Sequence, residues 1–177
     1  MPKLIELVEG QAHWAEDAFV FVADEDAIPE SGDVILSLAR FQVEGDALLS
    51  SNSRRVGVRI EPDQEVEALA YDLPRLAVVA LAFPKYRDGR AYTQARLLRE
   101  RYGYRGELRA TGQVLRDQFV FMLRAGFDAF EVKKQADAEA FTETVKRYSV
   151  FYQPTGDGRL SALHQRLQLR HSESAGL

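Results

Sequence analysis

The chain has 177 residues, 46% hydrophobic and 28% charged, which suits one compact domain with a tail and excludes wholesale disorder. It has no cysteine, which removes thiol nucleophiles, disulfides and Cys-ligated metal centres, and no apolar run approaching the roughly 20 residues of a membrane helix. The net charge of −4 is uneven: residues 1–84 carry −10 and residues 85–124 carry +6, so an anion-binding face, a self-complementary contact or a salt-bridged helix surface is expected in the basic stretch.

The N-terminal stretch predicts two strands. Lys3 to Val8 is short and mixed, and Ala18 to Ala23 is aromatic and β-branched, followed by the acidic turn residues Asp24, Glu25 and Asp26. The start Met1-Pro2-Lys3-Leu4-Ile5-Glu6 lacks a signal-peptide core, so a cytoplasmic location without membrane contact is expected. Ser31-Gly32-Asp33 then precedes the run Val34 to Phe41, continued by Ala47, Leu48 and Leu49, which reads as a helix capped by Asp33 or Ser31.

From there the pattern is regular. Strands begin near Val56, Ala77, Gly106 and Ala129, and each is followed by a helical segment: Gln64 to Leu73, Ala91 to Tyr102, Asp117 to Ala125 and Asp137 to Tyr152. Ala91, Ala95, Leu98 and Tyr102 form one apolar stripe, and Gly103 and Gly126 stand where helix ends favour a left-handed residue. Repeated βα units require parallel pairing, so the expected class is α/β with a mainly parallel sheet, plus the N-terminal strands. A full barrel takes about 250 residues, which leaves an open sheet or a partial TIM-like barrel.

Residues 1–152 are read as a single α/β domain and residues 153–177 as a flexible C-terminal tail, in which Leu160, Leu163 and Leu167 could share one docking face. An exposed edge, Lys3 to Val8 or Ala18 to Ala23, would allow a homodimer.

In parallel α/β folds ligands bind at the carboxyl ends of the strands. The loops there hold Glu61, Pro62 and Asp63; the run Pro84 to Arg90; Thr111, Gln113, Arg116, Asp117 and Gln118; and Glu131, Lys133 and Lys134. In Asp88-Gly89-Arg90, Asp88 suits a helix cap, Gly89 gives backbone freedom, and Arg90 would sit beside a helix N-terminus that favours an anion. Arg109 shares one strand face with Glu107 and Thr111, so it either pairs with Glu107, Asp117 or Asp88 or lines a wet cavity. Asp117 is expected to cap the next helix, with Gln118 on its first turn. The candidate ligand-binding set is therefore Lys85, Asp88, Gly89, Arg90, Arg109, Asp117 and Gln118, for a small anionic ligand.

The three histidines, His13, His164 and His171, lie outside the βα units, so no metal site is expected. There is no Ser-His-Asp arrangement, Walker A loop or GxGxxG, so no cofactor is expected and no catalytic residue is assigned. Acid/base chemistry by Asp88, Asp117 or Glu131 stays open. Nucleic acid is not an expected partner, since no reader motif accompanies the basic segment.

The runs Phe83-Pro84-Lys85-Tyr86-Arg87-Asp88-Gly89-Arg90, Ala95-Arg96-Leu97-Leu98-Arg99, Gly106-Glu107-Leu108-Arg109-Ala110-Thr111-Gly112, Asp117-Gln118 and Gly126-Phe127-Asp128-Ala129-Phe130 occur in order. Over about residues 31–152 the chain resembles the bacterial family catalogued as domain of unknown function 934. That resemblance implies a setting beside sulfite reductase and other sulfate-assimilation enzymes, and members are often labelled as oxidoreductases. It assigns no catalytic residues. Thr111 stands where the resemblance leads one to expect a valine-like residue, which implies that its hydroxyl is not essential. With the basic loops, it implies an accessory or ligand-binding component of sulfite reduction. The alternatives are an enzyme acting on a sulfur-pathway metabolite and a structural partner that docks sulfite reductase through Arg96, Arg99 and Arg101.

Overall fold

The computed structural model describes residues 3–8, 11–51, 53–132, 139–144, 151–152, 155 and 161–167. Eight strands, β1 (Lys3–Val8), β2 (Gln11–Ala15), β3 (Phe19–Phe21), β4 (Asp33–Ser37), β5 (Val56–Ile60), β6 (Val78–Phe83), β7 (Glu107–Gly112) and β8 (Ala129–Val132), form one sheet in the order β2-β1-β8-β7-β6-β5-β4-β3. From β3 to β8 the neighbours run parallel, whereas β1 is antiparallel to both β2 and β8. The sheet is thus mixed, not the mainly parallel one expected. The N-terminal hairpin, whose strands β1 and β2 are joined by only two residues and so must be antiparallel, adds β1 to the far edge of β8 with reversed direction.

Chain connectivity curls this sheet into a half-barrel. Strands β2 and β3 are its two edges, and a flat sheet of eight strands would hold them about 34 Å apart. Yet Ala15 and Phe19 are only four residues apart in sequence, a reach of about 14 Å at most. The edges must therefore approach each other, with residues 16–18 spanning the gap.

Helices α1 (Leu38–Ser51), α2 (Arg90–Arg96) and α3 (Phe119–Ala125) cover only the convex face. Strand parity shows this directly. Val34, Leu36, Val58, Leu81, Phe83, Leu108 and Phe130 join Leu38, Phe41, Ala91, Leu98 and Met122 in one large core. The opposite parity gives a small separate cluster of Phe19, Ile35, Val78 and Ala80, without any helical residue. The concave face also carries Glu107, Arg109, Thr111 and Glu131.

Several local expectations are corrected. The run from Val34 begins as a strand: Asp33–Ser37 is β4, and the helix starts at Leu38. Its cap is Ser37, whose Oγ accepts the Arg40 N–H at 3.2 Å, in place of Ser31 or Asp33. Asp33 instead accepts the Arg55 backbone N–H at 2.8 Å and pairs with the Arg55 guanidinium at 2.6 Å, which together lower its carboxyl pKa. The helix expected over Gln64 to Leu73 is two short 3-10 turns, Val66–Leu69 and Leu73–Arg75, the second with Pro74 in its first turn. Helix α2 continues as a π-helical turn, Leu97–Arg101. Gly103 and Gly126 do adopt positive φ, 63° and 105°.

Of the segment expected to be a helix over Asp137 to Tyr152, residues 139–144 are helical and 137–138 and 145–150 lie outside the described residues. In the C-terminal part, residues 162–167 are helical and Ser161 is buried, with Leu163 and Leu167 exposed; Leu160 lies outside the described residues. Among the described residues no helix is long and apolar enough to cross a membrane.

Candidate functional site

The seven expected ligand residues fall in three places. Lys85, Asp88, Gly89 and Arg90 follow β6, where Arg90 borders a groove of about 240 Å³ with Pro62, Gln64 and Thr93. Asp88 accepts the Arg90 backbone N–H at 3.2 Å and grips the same residue's guanidinium at 3.0 and 2.7 Å. This pairing holds the Asp88 carboxyl down at about 2. Arg90 is therefore already matched by its neighbour. Gly89 has φ −87° and open space around its Cα, so nothing in its conformation demands glycine.

Asp117 and Gln118 border a second groove, about 520 Å³, between α2 and α3 with Tyr92, Phe121 and Arg124. Asp117 is not the cap of α3: that position is Gln118, whose side chain makes no cap bond. Gln118 Nε2 instead donates to the Tyr86 carbonyl at 2.9 Å, and Gln113 Oε1 accepts the Tyr86 N–H at 3.1 Å. These two amides fasten the loop after β6. The groove is the largest of the three but apolar, and the buried atom there without a partner is an acceptor, Gln118 Oε1.

Arg109 is elsewhere, mid-strand on the concave face and 1% exposed. Its Nε donates to Glu107 at 2.6 Å, its Nη1 donates to Asp17 at 2.7 Å, and Glu131 lies 3.9 Å from Nη1. Of the expected partners only Glu107 is correct; Asp117 and Asp88 are not among them. Asp17 comes from the connection that spans the sheet edges: its Oδ1 accepts the Phe19 N–H at 3.0 Å while Oδ2 holds the arginine. Phe19 lies over the guanidinium at 5.7 Å.

Beside this cluster is a cavity of about 410 Å³, lined by Asp17, Phe19, Val20, Phe21, Ile35, Arg59, Ala80, Thr111 and Glu131. Ala80 of β6 lines this space with a single methyl group, where a bulkier inward residue would narrow it. Two lining residues carry a buried polar atom without a hydrogen-bond partner, Thr111 Oγ1 and Arg59 Nε; a third such atom, Arg109 Nη2, belongs to a residue that does not itself line the cavity but is bonded to Asp17, which does. Arg59 Nε sits 2.9 Å from Glu61 Oε1 without hydrogen-bond alignment. All three atoms can donate, and all three are closed to solvent, so a ligand oxygen would meet them only after a small shift of the wall.

The surrounding charge is acidic. Asp17, Glu107 and Glu131 face one Arg109, and Glu6 adds to the field at Glu107. Burial pushes the Glu131 carboxyl up, Arg109 pulls it down, Asp17 pushes it up again, and the net direction is up; burial likewise raises Glu107. Of the two, Glu131 lines the cavity and can hold a proton in its wall.

Asp17 and Arg59 were not among the expected ligand residues. Asp17 carries no local signal beyond a turn between strands, and it meets Arg109 across 92 positions. Two arginines of the basic stretch, Arg99 and Arg109, are used internally, while most of its other basic residues are exposed. Arg99, expected on a docking surface, donates to the carbonyls of Gly126, Tyr104 and Gly106 at 2.7–2.9 Å and to Asp128 at 2.6 Å. Arg96 pairs with Glu100 and Arg101 with Glu67, and both remain exposed.

Among the described residues no group of three or more His, Cys, Asp or Glu could hold a metal ion. The model of a family of bacterial proteins of unknown function, DUF934, matches residues 57–163, which takes in β5 to β8 and the Arg109 cluster apart from Asp17. No curated protein matches the chain.

Proposed function

We propose, from the premise that the chain belongs to the DUF934 family, that it is a ligand-binding component of bacterial sulfite reduction and sulfate assimilation, taking a small oxyanion at Arg109, beside the concave cavity whose lining residues Asp17 and Phe19 it contacts. One observation carries this reading: Arg109 is fully buried and two of its nitrogens are hydrogen-bonded, yet Nη2 has no acceptor. A buried guanidinium nitrogen without a partner is costly, and an oxyanion oxygen would complete the planar fork that arginine presents. Thr111, on the wall, offers an auxiliary hydroxyl. The site then lies inside the half-barrel and not among the strand-end loops of Lys85 and Arg90.

The sulfur setting rests on the family resemblance, and it makes sulfite, sulfate and phosphate the first probes. A ligand at 100 times its Kd stabilises by about 2.7 kcal/mol, a shift of several degrees for a chain this size. Arg109→Lys keeps the positive charge for Asp17 and Glu107 and removes the fork. An anion-induced rise in Tm that the wild type shows and this variant loses is the expected result. If no oxyanion raises Tm, or if the variant responds equally, the Arg109 cluster is a structural ion pair and the reading falls.

A second reading, an acid/base enzyme on a small sulfur metabolite, is favoured by Glu131, a cavity-wall carboxyl raised by burial. Docking of sulfite reductase would rest on exposed Arg96 and Arg101, since Arg99 is committed internally.

A further inference from the structure

The charges around the cavity go further than locating a site: they select the ligand's charge. This step rests on the oxyanion reading above. We propose that the cavity accepts singly charged oxyanions and refuses doubly charged ones, with Glu131 as the residue that sets the difference by taking up a proton when the anion binds.

The geometry gives each carboxylate a different freedom. Glu107 and Asp17 are held by Arg109 at 2.6 and 2.7 Å, so both are needed as carboxylates to fix the guanidinium. Glu131 stands 3.9 Å away, beyond hydrogen-bond distance, while also lining the cavity. It is the member of the cluster able to gain a proton without breaking the frame. Every packed element contributes to its field: Arg109 and Glu107 from β7, Asp17 from the edge connection, and Arg59 from β5, itself beside Glu61. Glu6 of β1 acts on Glu107 behind them.

With all groups ionised, Asp17, Glu107 and Glu131 outnumber Arg109 by two charges, and the Arg59–Glu61 pair beside them adds none. An anion in the cavity adds a further negative charge beside Asp17 and Glu131 of its wall, where like charges repel more strongly than in water. A proton on Glu131 cancels that added charge once. It can do so for a monoanion; a dianion leaves one charge uncompensated. The direction of the Glu131 shift agrees, since burial already favours its neutral form.

The test uses two probes with the same sulfur-oxygen head and fixed charge, methanesulfonate as monoanion and sulfate as dianion. Calorimetric titrations between about pH 5 and 8, in buffers of different ionisation enthalpy, count the protons taken up. The wild type is expected to bind methanesulfonate at least tenfold more tightly than sulfate, with uptake of up to one proton. Its affinity should fall by up to about tenfold per pH unit above the range where Glu131 titrates. Glu131→Gln, which is isosteric, should abolish proton uptake, flatten the pH dependence and narrow the gap between the two anions. Equal affinity of the wild type for both probes, or proton uptake that persists in Glu131→Gln, overturns the selection while leaving the Arg109 site standing. If neither probe binds either protein, the site itself falls.

Discussion

A hydroxyl buried without a partner costs roughly 1–3 kcal/mol, and Thr111 carries one on the cavity wall. Thr111→Val removes that cost, so the ligand-free protein should be as stable as the wild type or up to about 1 kcal/mol more stable in urea titrations. The same change deletes a donor to the anion, so methanesulfonate affinity should drop severalfold by calorimetry. A threonine kept only for packing would not separate the two readouts; loss of stability with unchanged binding would remove Thr111 from the site. At this scale the strand pattern was informative. Alternation alone put Glu107, Arg109 and Thr111 on one face, and that face is the one that bears the cavity. It could not supply Asp17, whose approach depends on the whole sheet curling, nor the internal use of Arg99, whose four acceptors come from two separate loops.

The elements that bring these side chains together depend on a few backbone positions. Strand β7 ends at Gly112, with φ 91°, where an added Cβ would lie 2.6 Å from the Phe83 carbonyl oxygen. That close approach lets the Gln113 N–H donate to the same oxygen at 2.8 Å, and Gln113 then holds Tyr86. Gly112→Ala is strained by both conformation and contact, and should cost about 2 kcal/mol or more in chemical unfolding. A loss below about 0.5 kcal/mol would show that the turn can relax and that Gly112 does not fix the loop. The strands of the βα units were legible because buried parallel strands read as short apolar runs between turn residues. The same property hid β4. Val34-Ile35-Leu36 is apolar throughout and passes directly into helix α1, with Ser37 as the only punctuation, so periodicity does not separate strand from helix there.

Curling the sheet concentrates carboxyl groups in surroundings that disfavour their charge, and this gives the whole molecule a pH signature. Glu107, Asp128 and Glu131 all have raised folded-state pKa values, with burial the leading cause in each. The folded state therefore binds protons more readily than the unfolded one at these groups. Their contribution is fully present below the ordinary carboxyl range and is lost as pH rises through the raised values. Asp33 and Asp88 act in the opposite sense: their pairing with Arg55 and Arg90 stabilises above the ordinary value of 3.8 and is lost on acidification, for Asp88 through about 2. The raised groups penalise neutral pH and the lowered ones penalise strong acid, so Tm should peak in the weakly acidic range, a little above about pH 4. Glu131→Gln makes the assignment specific. The variant lacks the charge that burial opposes, so it should match or exceed the wild type in stability at neutral pH, and the difference should vanish as pH falls and Glu131 takes its proton. A variant less stable than the wild type at neutral pH would mean that ionised Glu131 is a net support for Arg109, and that the cavity is built to keep that carboxylate charged.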